Sequence, residues 1–326
     1  MQDDNKKPEW MRDTIPSMKR RCHGHDYQSR CIYMITLVVE GRRPLLGHIT
    51  GDGIDQPAQL HPTQLGQAIL HELDQITIHY PAVKVISHQL MPDHLHAILY
   101  VQERIPRHLS HVITSFKVGC NRLYRAATMT DCGSALWETG FHDRILKGRH
   151  HLQRMMDYLD DNPRRAAIKR HHPEFFKVQR DVTVAGLTFA ALGNLFLLQS
   201  PQLLQVQCTR RLTPEQIEDT VAQFLEQASR GAILVSPSIS AGERAVMRTA
   251  FNHGYPTIVL VENGFAPLAK PGGKRFDACA QGRLLLLAPW EHHNERRRIK
   301  EYQCRNLNAM AAAICTATRQ PQQQQP

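Results

Sequence analysis

Two patterns of hydrophobic spacing follow one another along these 326 residues, and the change between them near residue 173 calls for two separate cores. Up to about residue 172 the order reads strand, helix, strand, strand, helix, strand, helix. Cys31 to Val39 alternates as a strand should, and Leu65, Ile69, Leu70, Leu73 and Ile76 recur at helical spacing between Pro62 and Tyr80. Val83 to Leu90 and His94 to Val101 make a hairpin around Met91-Pro92-Asp93. A helix follows Pro106, then a strand over Ala135 to Leu146 bent at Gly140, then a helix from Arg149 to Asp161 stopped by Asn162-Pro163. That order predicts an α+β domain, a two-layer ferredoxin-like antiparallel sheet with helices, over residues 30–172.

Residues 173–181 are charged, contain Pro173 and read as a linker. Beyond them, the apolar run 182–198 is interrupted by Thr, Gly and Asn, which favours a strand pair with a tight turn over a membrane span. Strands then alternate with helices: Leu204 to Cys208, Thr213 to Ser229, Ala232 to Val235, Ala241 to His253, Thr257 to Val261 and Arg283 to Ala288, with a basic helix from about Glu291. Such alternation predicts a parallel sheet covered on both sides, an α/β Rossmann-like domain over residues 182–316. Residues 1–29, with Lys19-Arg20-Arg21, read as a basic arm, and 317–326 as a low-complexity tail.

Lys and Arg outnumber Asp and Glu by 40 to 30, which favours a polyanionic partner. Eight cysteines without a Cys-x-x-Cys pair, and a start lacking the apolar run of a secretory signal, are expected of a reduced, cytoplasmic protein. Cys22, His23, His25 and Cys31 fit no zinc ribbon or finger spacing.

The chemistry concentrates around Met91-Pro92-Asp93-His94-Leu95-His96. Alternate side chains on a strand share a face, so His94 and His96 project together and could hold one divalent metal. Spacing alone is weak, since a chain with 19 histidines produces accidental pairs such as His23-Gly24-His25. Downstream, Tyr158 and Asn162 lie one helical turn apart, placing a phenol and an amide oxygen within reach of such a metal. That set suits transesterification of a phosphodiester: the metal polarises the phosphate and the phenolate attacks. Free phenols ionise only near pH 10, so the metal would also have to help activate the nucleophile. Tyr124 is a second tyrosine that could attack or merely pack. Lys117, Asn121 and Arg125 form a stripe on one helix, either a solvated face or a phosphate-contacting one.

Met-Pro-Asp-His-Leu-His, Phe-Lys in a helix, Leu-Trp-Glu-x-Gly-Phe-His-Asp-Arg-Ile and Met-Asp-Tyr-Leu-x-x-Asn-Pro, in that order, resemble the REP-associated branch of the single-tyrosine HUH transposases over residues 27–172. The resemblance implies a DNA nicking and joining enzyme that uses Mg²⁺ or Mn²⁺ and acts on single-stranded or hairpin DNA as a homodimer. It assigns His94 and His96 as metal ligands, Tyr158 as the nucleophile forming a phosphotyrosine intermediate, and Asn162 as a third ligand, although other branches place a Gln there. His142 would either support the site or be an ordinary sheet histidine.

Residues 204–290 are similar to the Rossmann-like domain of DNA-processing protein A, with serines where that family mostly has glycines. This similarity implies single-stranded DNA binding through Arg210, Arg211, Ser236 and Ser238, the serines lying where a phosphate would meet a helix N-terminus. A scaffold with an ordinary serine cap is the alternative. Arg296-Arg297-Arg298 reads as a solvated face or a backbone contact. Two other functions stay open: a non-catalytic DNA-binding regulator, and a nucleotide-processing enzyme acting through the C-terminal domain.

Overall fold

The computed structural model describes residues 22, 24–129, 135–295 and 297–317. Most of the basic arm, His23, Cys132, Arg296 and the Gln-rich tail lie outside the described residues. The chain divides into two compact units between Ile168 and Lys169.

In the first unit the strands are β1 (Cys31–Val38), β2 (Gly47–Thr50), β3 (Gln59–Pro62), β4 (Val83–Met91), β5 (His94–Val101) and β6 (His142–Leu146); the helices are α1 (Gln64–His79), α2 (Leu109–Thr128), α3 (Arg149–Asp160) and α4 (Asn162–His171). Four strands form a sheet ordered β4-β5-β1-β6, antiparallel throughout. One face carries Tyr33, Ile35, Leu37, Leu95 and Leu99 under α1 (Ile69, Leu73, Ile76) and α2 (Val112, Ile113, Phe116). The other carries Met34, Ile98 and Leu146 against Leu159 of α3. The alternation of β1 and β5 therefore feeds two cores, which is why both strands are apolar at nearly every position.

Two features of this unit depart from the expected order. The hairpin β2-β3 has no strand signal because its strands are four residues long and surround a polar, Gly-containing loop. Of the strand expected over Ala135 to Leu146 only His142–Leu146 is regular; Trp137 makes a single bridge to Val39, and Gly140 at φ 80° turns the chain between them. The helix from Arg149 ends at Asp160, directly before Asn162-Pro163 as expected, and Asn162-Pro163 opens a further helix, α4, where a proline in the first turn gives up no hydrogen bond.

The second unit contains β7 (Gln179–Val184), β8 (Leu187–Gly193), β9 (Leu203–Gln205), α5 (Pro214–Ser229), β10 (Ile233–Ser236), α6 (Ala241–Asn252), β11 (Thr257–Leu260), α7 (Lys274–Ala280), β12 (Leu284–Ala288) and α8 (Glu301–Ala317). The sheet order is β7-β8-β12-β11-β10-β9, with β9 to β12 parallel and β7 and β8 an antiparallel extension. Ala185 and Gly186, at φ 53° and 73°, join β7 to β8 in the twist that suits a two-residue hairpin. Leu307, Ala311 and Ile314 of α8 pack on Ile233, Val235, Ile258 and Leu285, while Val246, Met247 and Ala250 of α6 cover Leu234 on the opposite face. The stretch expected as a linker is built into this unit: Pro173–Phe176 form a 3-10 turn, Phe176 is buried and stacks on Phe276 at 4.6 Å, and β7 already begins at Gln179. The last helix starts at Glu301 rather than near Glu291, because His292 and His293 are held by Gly264 and Asn263.

Candidate active site

Register across the first sheet builds the site. His96 of β5 faces Thr36 of β1, Thr36 faces His142 of β6, and His96 faces Gln89 of β4, so these four side chains form one row across the sheet. They share the face covered by α3, because Met34 and Ile98, two residues from Thr36 and His96, pack on Leu159. His94 lies on this face as well, its ring centroid 4.8 Å from that of His96 and nearly perpendicular to it.

Both imidazoles are anchored through Nδ1. His94 Nδ1 lies 2.6 Å from Asp93 Oδ1, and Asp93 is itself held by Arg42 at 3.1 Å. A carboxylate only accepts, so Nδ1 of His94 carries a proton, and in the neutral ring Nε2 presents its lone pair. His96 Nδ1 lies 2.7 Å from Thr36 Oγ1; when the hydroxyl accepts, Nε2 of His96 is likewise a donor atom for a metal. Burial, and then the neighbouring His94 charge, push His96 down to about 3, which keeps the ring neutral at physiological pH, the form a metal needs. Burial opposes ionisation of Asp93, but the His94 hydrogen bond and the nearby charges override it and hold the carboxyl below its usual range.

Tyr158 projects from α3 with its ring centroid 6.3 Å from that of His96. The side chain is 40% exposed, and its hydroxyl has no hydrogen-bond partner among the described residues. Asn162 is buried on α4, and its Nδ2 has no partner among the described residues. Among the described residues no group of three or more His, Cys, Asp or Glu is arranged to hold a metal. A cation here would therefore complete its shell with an amide oxygen, water or substrate phosphate oxygens.

His96 contributes to the acid sensitivity of the metal-free protein. Its folded-state pKa lies below the ordinary 6.5, so the stability it supports is complete above that pH and drains away as pH falls toward 3. The loss reaches on the order of 5 kcal/mol if the ring has to be protonated in place. Protection factors of β5 amides, taken relative to the intrinsic exchange rate at each pH, should fall between pH 6.5 and 4 in the wild type and less steeply in His96→Gln. Equal slopes in the two proteins would remove His96 as the cause.

Several residues singled out in the sequence have other duties. Lys117 Nζ donates to the carbonyls of Glu138 and Gly140 at 2.7 and 2.9 Å, and Asn121 Oδ1 accepts from Leu136 N at 2.9 Å. Both side chains fasten the segment before β6 to α2, which accounts for their place on that helix; Arg125 of that stripe is exposed. Tyr124 is buried, with Arg43 donating to its hydroxyl at 3.1 Å, and serves packing.

Ser236 is fully buried, donates to Val206 O and accepts from Ser238 N. Ser240 caps α6, and Glu243 turns its carboxylate onto Ile239 N, Ser240 N and Cys208 N. The serine loop therefore spends its amide donors on its own buried carboxylate, whose charge also opposes a phosphate at that helix end. Arg210 and Arg211 are exposed after β9. Thr36 and Arg42 carry no sequence signal for the site because strand register brings the first there and the turn after β1 brings the second, whereas Asp93 could have been read from its place directly before His94.

No family model matches the chain. A Haemophilus influenzae protein described as uncharacterized is 22% identical over 164 residues, spanning 44% of this chain and 86% of that one. Among solved structures, a REP-associated tyrosine transposase bound to a REP hairpin is 15% identical with a TM-score of 0.33, covering 45% of this chain and 75% of its own. DNA processing protein A from Helicobacter pylori, described for its single-stranded DNA binding, is 18% identical with a TM-score of 0.32, covering 43% of this chain and 65% of its own. Likenesses this low carry no functional argument, which leaves the side chains. No helix among the described residues is long and apolar enough to cross a membrane.

Proposed function

We propose that the first unit, as a ferredoxin-like domain of HUH type, nicks and rejoins single-stranded or hairpin DNA through Tyr158. The observation that carries this reading is the anchored pair His94 and His96, with Nδ1 of each ring engaged, beside an exposed tyrosine whose ring lies 6.3 Å from that of His96. A bound Mg²⁺ or Mn²⁺ would supply Lewis-acid polarisation of the scissile phosphate. His94 and His96 would hold it, with Asn162 as the proposed third ligand, and Asp93 and Thr36 would fix the rings. Tyr158 Oη forms a bond to phosphorus while the bond from phosphorus to the leaving sugar oxygen breaks. The phenolic proton passes to water at this exposed position, the leaving oxygen takes up a proton, and attack by a sugar hydroxyl reverses both steps. The second unit, a Rossmann-like sheet, accompanies this activity as a DNA-binding module.

Incubating the full chain with labelled hairpin DNA and Mn²⁺ tests the proposal. A covalent adduct that survives denaturation and disappears with chelator is expected. Salt-sensitive binding without an adduct would instead indicate a DNA-binding regulator. Asp93→Asn should weaken Mn²⁺ binding about 10–100-fold, because the ring of His94 loses the carboxylate that fixes its tautomer. Calorimetric titration measures this, and unchanged affinity would remove Asp93 from the site.

A further inference from the structure

The second unit contains a cleft of about 550 Å³ that touches the serine loop at Ser238 and is otherwise lined by residues no assignment above uses. Its floor is the α6 side of β11 and β12, where Thr257 pairs in register with Leu284 and Val259 with Leu286. The α6 helix covers β10 and leaves this part of the sheet open, with Met247 and Phe251 as an apolar wall.

The rim is cationic. Arg244 and Arg248 stand one turn apart on α6, Lys274 and Arg275 stand at the start of α7, and no acidic residue lines the cleft. Arg244 donates to the carbonyl of Ile239, but Arg248, Lys274 and Arg275 have no ion pair or side-chain hydrogen bond among the described residues. Like charges one helical turn apart repel unless an anion lies between them. At the floor, Thr257 is 1% exposed and its Oγ1 has no hydrogen-bond partner among the described residues. A buried hydroxyl left unpaired is costly, and its position in a cleft wall makes a ligand atom the natural partner.

We infer that this cleft binds a nucleotide: phosphate on the rim between α6 and α7, the base against the Leu, Val, Met and Phe surface, and one polar atom on Thr257. Several uncompensated cations ask for a multiply charged group, and guanidinium pairs suit phosphate oxygens. The volume is that of a small-molecule site, and an apolar floor with one polar group matches a flat ring with a polar edge. The inference is independent of Tyr158; the serine loop borders the cleft through Ser238, while the phosphate is assigned to the cations of α6 and α7. The nucleotide could be free or the phosphorylated end of a strand, since both present the same chemistry.

The test uses the full chain in calorimetric titrations with AMP, adenosine and short oligothymidylates with and without a 5′-phosphate. AMP or the phosphorylated strand should bind at least about tenfold more tightly than its unphosphorylated counterpart. Competition between AMP and the phosphorylated strand identifies the strand end as a second source of the same ligand; binding by AMP alone identifies the free nucleotide. Arg248→Glu should weaken binding about tenfold or more. Thr257→Val should also weaken it while melting no lower than the wild type, because it removes an unpaired buried hydroxyl. Absence of phosphate-dependent binding, or binding untouched by both substitutions, would overturn the inference.

Discussion

A Tyr158→Phe chain should form no covalent DNA adduct, a loss of at least about 10³-fold and in practice to background. The substitution removes one oxygen and nothing else that the fold uses. The side chain is 40% exposed and its hydroxyl has no hydrogen-bond partner among the described residues, so the melting temperature should stay within about 1 °C. DNA affinity in a filter-binding assay should change less than about twofold, since neutral surface groups contribute little to phosphate binding. Loss of chemistry with fold and binding intact is what distinguishes a nucleophile from a packing tyrosine. An adduct that persists in Tyr158→Phe and vanishes in Tyr124→Phe would transfer the role to the buried tyrosine beside Arg43, against its present assignment.

Glu243→Ala should be the most destabilising single change in the second unit. The carboxylate is 2% exposed and accepts from Ile239 N at 2.6 Å, Ser240 N at 3.1 Å and Cys208 N at 3.2 Å. Truncation leaves three backbone donors at the mouth of the parallel sheet without a partner and dismantles the capping box of α6, a cost of about 3–5 kcal/mol. For a unit of this size that corresponds to roughly 8–15 °C in melting temperature. Glu243→Gln keeps one acceptor oxygen and should lose about half as much. Calorimetric melting of the full chain resolves the two, and a shift of only a degree or two in Glu243→Ala would mean that water satisfies these amides.

The nucleotide cleft and the serine loop show why site chemistry in the second unit was hard to read from the chain. Ser236 and Ser238 sit where a ligand-binding loop would be, yet the acceptor their loop serves is Glu243, a residue that reads in the sequence only as the end of a capping box. Thr257 opens a strand and gives no sign that its hydroxyl lies unpaired in a cleft wall. The stripe Lys117, Asn121 and Arg125 was legible as a stripe, but helical spacing does not say which backbone lies opposite it, and two of its three members are taken by the segment from Leu136 to Gly140.

The sequence by itself determined the alternation of strands and helices in both halves and the shared face of His94 and His96. Those are properties of local periodicity, fixed by the period of two in a strand and 3.6 in a helix. Only the tertiary structure decided that Thr36 anchors His96, that Arg42 braces Asp93, that α3 packs on the sheet's second core, that His142 lies in the same row, and that a further helix begins at Asn162. Register between strands distant in the chain, and competition among polar groups for the same backbone donors, depend on pairings that no local window of residues contains.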